Sequence, residues 1–317
     1  MNSQWDCVII GGGAAGLSAA LVLGRARRRT LVIDAGSQSN LAAHGIGGLL
    51  GYDGTPPRQF YDQGRAELDR YPSVELRSGE VVAAGADLSL VLADGAGEHG
   101  RTVLLAMGMD YQVPPIPGIN ELWGNAVFHC PFCHGWEARD QPLAVLGHNE
   151  RAVHSALLLR NWSDDVIVLN DGAGALSAED RDQLLAAGVQ VDDRTVSRLV
   201  PEGEDLVAVE FTDGSHLPRT GALVPPTLRQ RSDLTVQLGV KTAAGRIAVD
   251  AVVSDEMHRT SVPGVFAAGD VSARMPQVAA AVAEGSVAAA AILQTLLAGE
   301  NRDALDVMGE RERVEHP

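Results

Sequence analysis

At 317 residues the chain is long enough for two domains with separate cores, because a single core stops growing at about 250–300 residues. A formal net charge of −16 and an aromatic content of 4% argue against nucleic acid and membrane partners, since the charge repels phosphate and anionic lipid and few rings are left for base stacking. The opening Met1-Asn2-Ser3-Gln4-Trp5-Asp6 carries no basic segment of the kind that begins a secretory leader, so a cytoplasmic protein is expected.

In chain order, Cys7-Val8-Ile9-Ile10 reads as a buried parallel strand, followed at once by Gly11-Gly12-Gly13-Ala14-Ala15-Gly16 and an Ala/Leu-rich helix to about Leu23. A second strand, Thr30-Leu31-Val32-Ile33, ends at Asp34. Strand, glycines at 11, 13 and 16, helix, strand and terminal acid together form a dinucleotide-binding fingerprint in its full context. Gly11 makes the turn, Gly13 admits a pyrophosphate, Gly16 lets the helix pack closely, and Asp34 accepts hydrogen bonds from ribose hydroxyls. The cluster Arg25, Arg27, Arg28 and Arg29 falls at the C-terminal end of the helix, where cations complement its dipole, and is read that way rather than as a phosphate patch. From Asn40 to Gly54 the chain is rich in glycine and polar residues, as expected of a loop wrapping a cofactor. Val74 to Val91 reads as short strands with turns, and Thr102 to Ala106 as another buried strand.

Val113-Pro114-Pro115-Ile116-Pro117-Gly118 has no helical option and marks a domain boundary. Beyond it comes His129-Cys130-Pro131-Phe132-Cys133-His134-Gly135-Trp136, with two cysteines at the opening of a predicted short helix, where a thiolate is favoured. The only other cysteine is Cys7, in an apolar strand, so a four-sulfur zinc site cannot be built and no metal is expected. Covalent haem attachment, a structural disulfide and a catalytic dithiol all use this pattern. The first requires export and a haem-sized pocket and the second an oxidising compartment. The dithiol reading requires a two-electron partner elsewhere in the chain.

Leu143-Ala144-Val145-Leu146-Gly147 begins a second strand-turn-helix unit, whose next strand is Val166-Ile167-Val168-Leu169. Near the end, Val262 to Asp270 gives a turn, a short strand and an acid, followed by a long Ala-rich helix from about Gln277. Its apolar run, Val278 to Leu297, carries Glu284, Gly285 and Gln294 and reads as a buried helix rather than a membrane span. The charged tail after Gly299 is expected to fray.

The glycine turn, the mid-chain Cys-x-x-Cys followed by a polar residue and Gly135, and Gly269-Asp270 together resemble the thioredoxin reductase family of flavoproteins over nearly the whole chain. The resemblance implies an α/β homodimer with two Rossmann-like, three-layer ββα nucleotide-binding domains, the second inserted into the first. The FAD domain would span residues 1–113 and 242–317, and the inserted NAD(P)H-type domain, carrying the cysteines, residues 114–241. It further implies that Gly11, Gly13, Ala14, Ala15 and Gly16 hold the FAD pyrophosphate and Asp34 the adenosine ribose. Asn40 would lie in the wrapping loop, Val82 and Gly108 along the cofactor, Gly269 and Asp270 at the ribityl chain, and Gln277 and Val278 against the isoalloxazine. Cys133 would face the flavin and Cys130 would exchange with substrate.

Two departures from the family pattern bear on function. Asn149 stands where a second nucleotide fingerprint has its middle glycine, and Asn170-Asp171-Gly172 replaces the basic cluster that reads a 2′-phosphate; only Arg151 is available to compensate. Bound NADPH is therefore not expected. His134 replaces the acid that usually follows the cysteines and is a candidate base for a thiol proton, with a helix-surface histidine as the alternative; His129 and His44 are read as structural. The Cys-Pro-Phe-Cys-His-Gly-Trp segment with the 40–54 loop is most similar to the dithiol oxidases of the gliotoxin and holomycin kind. That branch implies a small-molecule dithiol substrate, O2 as acceptor and H2O2 as product. The alternatives are a reductase driven by NAD(P)H or another donor, and a flavin-free redox sensor.

Overall fold

The computed structural model describes residues 5–172 and 176–315, so Met1 to Gln4, on which the leader argument partly rests, lie outside it. The chain divides into two compact units: Met1–Ser39, Gln59–Asp110 and Leu228–Pro317 form one, and Asn40–Arg58 with Tyr111–Thr227 form the other.

In the first unit the sheet order is Val74–Ser78, Thr30–Asp34, Trp5–Ile10, Gly97–Leu105, Ser89–Leu92 and Val81–Ala84, with Val265–Ala267 added alongside the second half of Gly97–Leu105. The central strands are parallel, and the 81–92 ribbon is antiparallel. Because side chains alternate across a strand, the two faces of Trp5–Ile10 have different partners. Val8 and Ile10 join Leu31, Ile33, Val103 and Leu105 against Val81, Leu90 and Leu92 of the ribbon, whereas Ile9 faces the helix Ala14–Arg25, its Cγ2 3.3 Å from where a Cβ at Gly16 would lie. The result is the expected helix, sheet and ribbon in three layers. A one-residue slip would exchange the two faces, each buried aliphatic being worth about 1.5–3 kcal/mol.

The long helix Val278–Glu315 packs along Ala14–Arg25, with the Ser18 hydroxyl donating to the Val282 carbonyl at 2.7 Å and Ala288, Ala289, Ala291 and Ile292 fully buried. Val278–Glu300 is long and apolar enough to cross a membrane, but here it has the place of a core helix. The segment after Gly299, expected to fray, continues this helix. Of the arginine cluster, Arg28 pairs with Glu300 at 2.6 Å, Arg29 lies 5.2 Å above the Trp5 ring, and Arg25 reaches the Tyr71 hydroxyl. These are structural contacts, as read.

The second unit repeats the plan. Gln190–Asp192, Val166–Leu169, Leu143–Leu146, Gly221–Leu223 and Val127–Phe128 form a parallel sheet in that order, and Val196–Glu202, Asp205–Phe211 and His216–Pro218 an antiparallel one. Ala144, Leu146, Ile167 and Leu169 face Leu199, Val209 and Phe211 of the antiparallel sheet. Leu143, Val145, Val166 and Val168 face Ala152, Val153, Ala156 and Leu159 of the helix Glu150–Leu159. Each unit is thus a Rossmann-like ββα domain, and the second is inserted into the first.

The unit limits differ from the expected ones in three places. The return to the first unit comes at 227/228 rather than 241/242, because Leu234, Leu238 and Val240 pack into the first unit's core with Val81 and Leu90. The outward boundary moves only from 113/114 to 110/111, and the paired strands Met109–Gln112 and Thr227–Gln230 carry the two crossings. Residues 40–58 belong with the cysteine-bearing unit: a Cβ at Gly47 would lie 2.4 Å from the Cys133 carbonyl oxygen, and one at Gly124 2.9 Å from the Ala42 carbonyl carbon.

Candidate active site

In the first unit, sheet register brings the predicted cofactor residues to one edge. Ile10 pairs with Ile33 and Leu105, and Leu105 with Ala267, so Gly11, Asp34, Gly108 and Gly269-Asp270 all follow the carboxyl ends of adjacent parallel strands. That edge is where ligands bind in open α/β sheets. The glycines are dictated by close approach: a Cβ at Gly11 would meet the Ala106 carbonyl oxygen at 2.4 Å, and one at Gly16 the Gly11 carbonyl oxygen at 1.9 Å. Around Gly13, by contrast, the nearest heavy atom to such a Cβ is 3.8 Å away, leaving the turn open to an incoming phosphate. Ala14 and Ala15 begin the helix behind it, Val82 lies in Val81–Ala84, and Gln277 and Val278 stand at the start of the long helix. The glycine turn with Asp34, Gly108 and Gly269-Asp270 fits a dinucleotide such as FAD. Asn40 lies in the second unit.

Asp34 is engaged more fully than its place at a strand tip suggests. Arg65 donates to Oδ2 at 2.9 Å, Gly36 N–H to Oδ1 at 3.0 Å, and the Gln38 amide to both oxygens at 3.1 and 3.2 Å. Burial pushes the carboxyl up, but the hydrogen bonds from Arg65, Gly36 and Gly12 outweigh it and hold it below the usual carboxylate range. Gln38 donates to the oxygens that ribose hydroxyls would use. Neither Gln38 nor Arg65 is visible as a site residue in sequence, since Arg65 comes from the separate helix Pro57–Leu68.

In the second unit, Cys130 and Cys133 form a disulfide with Cα atoms 5.3 Å apart. Cys130 has extended backbone and caps the single turn Pro131–His134, and the Cys133 N–H donates to its carbonyl at 3.1 Å. One turn supplies little dipole, so the predicted thiolate stabilisation at a helix start is correspondingly weak. Cys130 is buried and Cys133 half-buried. Cys7, fully buried with its thiol pushed by burial to about 12, takes no part in redox chemistry.

His134 stacks on Phe128 with ring centroids 5.6 Å apart, and its Nε2 lies 3.1 Å from the Gly124 carbonyl oxygen. A carbonyl only accepts, so Nε2 carries the hydrogen and the buried Nδ1, which has no hydrogen-bond partner, holds the lone pair. Burial pushes the imidazole below its ordinary value, against the raising effect of that carbonyl. The His134 imidazole is therefore neutral at neutral pH. The Gly124 carbonyl that selects this tautomer could not have been located from sequence.

His129 lies between the Trp123 ring, at 5.8 Å, and the Tyr111 ring, at 4.8 Å; burial, with His134 and Arg151 nearby, lowers it to about 4. His44 pairs with Glu204 at 3.1 Å on the surface. The folded state disfavours protonation of His129, so the unfolded chain binds more protons between the ordinary histidine value and about 4. Stability is complete above that window and falls as pH drops through it. Denaturant unfolding from pH 7 to 4 should show a loss on the order of a few kcal/mol, and His129→Phe, which keeps a ring there, should reduce it, leaving the part due to His134 and His258, which burial lowers as well.

The second nucleotide turn is occupied by its own side chain. Asn149 Oδ1 accepts from the Arg151 and Ala152 N–H groups at 3.0 and 3.3 Å, capping Glu150–Leu159 with donors that a pyrophosphate would use. The Arg151 guanidinium donates to the Pro226 carbonyl. Past the next strand, the buried Asn170 amide donates to Asp193, the Asp171 carboxylate takes the Val196 N–H at 2.8 Å, and Arg181 pairs with Asp193 at 2.7 Å.

A glycine cradle fitted to FAD in one nucleotide fold and a cysteine pair in a second, inserted one define a flavin-dependent thiol–disulfide oxidoreductase. The profile of the pyridine nucleotide-disulphide oxidoreductases matches residues 5–285, and the chain belongs to that family. It is 33% identical over 310 residues to thioredoxin reductase tcpT of Claviceps purpurea, covering 93% of this chain and 95% of the relative. It is likewise 33% identical over 303 residues to thioredoxin reductase sirT of Leptosphaeria maculans, covering 89% and 91%. Among solved structures, HlmI superposes with a TM-score of 0.91 at 37% identity over 98% of this chain and 99% of that one. An oxidoreductase from Agrobacterium tumefaciens gives 0.87 at 34% identity, over 93% and 99%.

Proposed function

We propose that this protein is an FAD-dependent dithiol oxidase that closes an intramolecular disulfide in a small-molecule dithiol, with O2 as acceptor and H2O2 as product. The observation that carries this reading is the Asn149 side chain seated on the N–H groups of the second nucleotide turn, with Arg151 drawn away to Pro226. Electrons then enter through sulfur rather than through a nicotinamide. The likeness of the cysteine segment to the gliotoxin- and holomycin-type oxidases supports the same direction.

In this scheme a substrate thiolate attacks Cys130 Sγ, the Cys130–Cys133 bond breaks, and Cys133 leaves as thiolate. The second substrate thiol, its proton taken by His134, attacks the mixed disulfide; Cys130 leaves as thiolate and the substrate departs as a disulfide. The cysteine pair has then gained two electrons, and the substrate has lost two electrons and two protons. Bound FAD would supply the two-electron acceptor that restores the cysteine disulfide and passes the electrons to oxygen. The reading carries with it a cytoplasmic homodimer without nucleic acid or membrane partners, in keeping with the charge of −16.

The names of the fungal relatives favour a second reading, an NAD(P)H- or other donor-driven disulfide reductase. Anaerobic titration separates the two. Dithiothreitol should bleach the flavin absorbance of the purified holoenzyme while an equal concentration of NADPH leaves it unchanged, and in air one H2O2 should form per disulfide. Rapid bleaching by NADPH would reverse the assignment.

A further inference from the structure

We infer that Glu284 is a positioning residue of the flavin site, clamping the Gly269-Asp270 turn and joining it to the glycine turn of the first strand. Gly269 has φ 81° and ψ −155°, a conformation open essentially to glycine alone, so its peptide groups need outside partners to stay in place. The Gly269 N–H donates to Glu284 Oε2 at 2.7 Å. On the other side of the residue, the Gly269 carbonyl accepts from the Ser272 N–H at 3.1 Å and from the buried Ser272 hydroxyl at 3.0 Å. Both backbone groups of Gly269 are held, and the direction in which Asp270 leaves the strand follows.

Glu284 is itself anchored. The next residue, Gly285, rests on the first helix so closely that a Cβ there would lie 2.1 Å from the Ala15 carbonyl oxygen, and one at Gly269 would lie 3.0 Å from Ala15 Cβ. Ala15, Gly269 and Gly285 thus meet at one point, with Glu284 spanning from the long helix to the turn. The turn assigned to the pyrophosphate and the turn assigned to the ribityl chain are joined through the Glu284-Gly285 segment, whose side chain holds Gly269 and whose backbone rests on Ala15. Burial and the Asp270 carboxylate raise the Glu284 carboxyl above its usual value, with the Gly269 N–H and Arg274 acting the other way.

The inference rests on flavin binding and not on the direction of electron flow, so it is tested by affinity. The holoenzyme is stripped of flavin and titrated with FAD, following quenching of flavin fluorescence, in Glu284→Ala, Glu284→Asp and Glu284→Gln. Removing the acceptor should weaken FAD about tenfold in Glu284→Ala, the equivalent of one hydrogen bond. Glu284→Asp keeps the charge but shortens the reach and should lose a comparable factor, whereas Glu284→Gln keeps the reach with a neutral oxygen and should stay within about twofold of the parent. Wild-type affinity in Glu284→Ala or Glu284→Asp would overturn the inference, as would equal losses in Glu284→Gln and Glu284→Ala. Thermal melting of the stripped variants distinguishes loss of the clamp, which leaves Tm close to the parent, from general unfolding.

Discussion

Replacement of Cys130 by serine is expected to abolish dithiol-driven oxygen uptake, a loss of at least about 10³-fold, while the protein remains folded and yellow. The hydroxyl cannot form the mixed disulfide through which the first substrate sulfur is held. The bridge joins residues only three apart in sequence, so its removal costs the fold about 2 kcal/mol or less. Cys133→Ser should be equally inactive but leave Cys130 able to keep one substrate sulfur, so intact mass spectrometry after exposure to an oxidised dithiol should find a covalent adduct in Cys133→Ser and none in Cys130→Ser. The reverse pattern would exchange the two roles and make the half-buried Cys133 the sulfur that meets substrate. Oxygen uptake surviving in both variants would remove the cysteine pair from the mechanism.

The second large effect is expected at Gly285, where one methyl group would meet the backbone of Ala15. Gly285→Ala places its Cβ 2.1 Å from a carbonyl oxygen of the first helix, and neither helix can retreat without breaking the packing of Ala288, Ala289 and Ile292 behind it. Overpacking of this kind costs about 3 kcal/mol, and here it also opens the glycine turn that begins the same helix. The variant should melt several degrees below the parent and purify with substoichiometric flavin, read from the ratio of visible to ultraviolet absorbance. Wild-type Tm with full flavin would show that the two helices adjust freely. An exposed alanine substitution on the same helix, Val287→Ala, serves as the control for helix propensity.

Most of the fold was legible because its signals are local. Runs such as Cys7 to Ile10 and Val166 to Leu169 are apolar on consecutive residues, as buried parallel strands must be, and Gly11 ends the first and Asn170-Asp171 the second. The domain limits were less legible. Val113 to Gly118 was marked by its prolines, whereas the return at 227/228 has no punctuation of that kind and is set by where Leu234, Leu238 and Val240 find a core. The helix Pro57–Leu68, polar overall with a narrow buried stripe of Pro57, Tyr61 and Leu68, is not among the elements expected from sequence, yet it delivers Arg65 to Asp34. The glycine-rich stretch after Asn40 is a loop, as read, but that it packs with the cysteine-bearing unit was not legible, because composition describes how a segment bends and not what it packs against.

The candidate site divides along the same line. Residue type and spacing were enough to pick out the glycine turn, the cysteine pair, Gly269-Asp270 and the departure at Asn149, since each depends on a chemical group that few residues supply. Only the tertiary structure decided that the Asn149 side chain caps its own helix, that Gly124 leaves the lone pair of His134 on Nδ1, and that Glu284 holds Gly269. In each of these a hydrogen bond is completed by a group whose identity is unremarkable in the chain and whose distance along it ranges from two residues to fifteen. Such partners are selected by position in space, which the sequence encodes only through the packing of the whole unit.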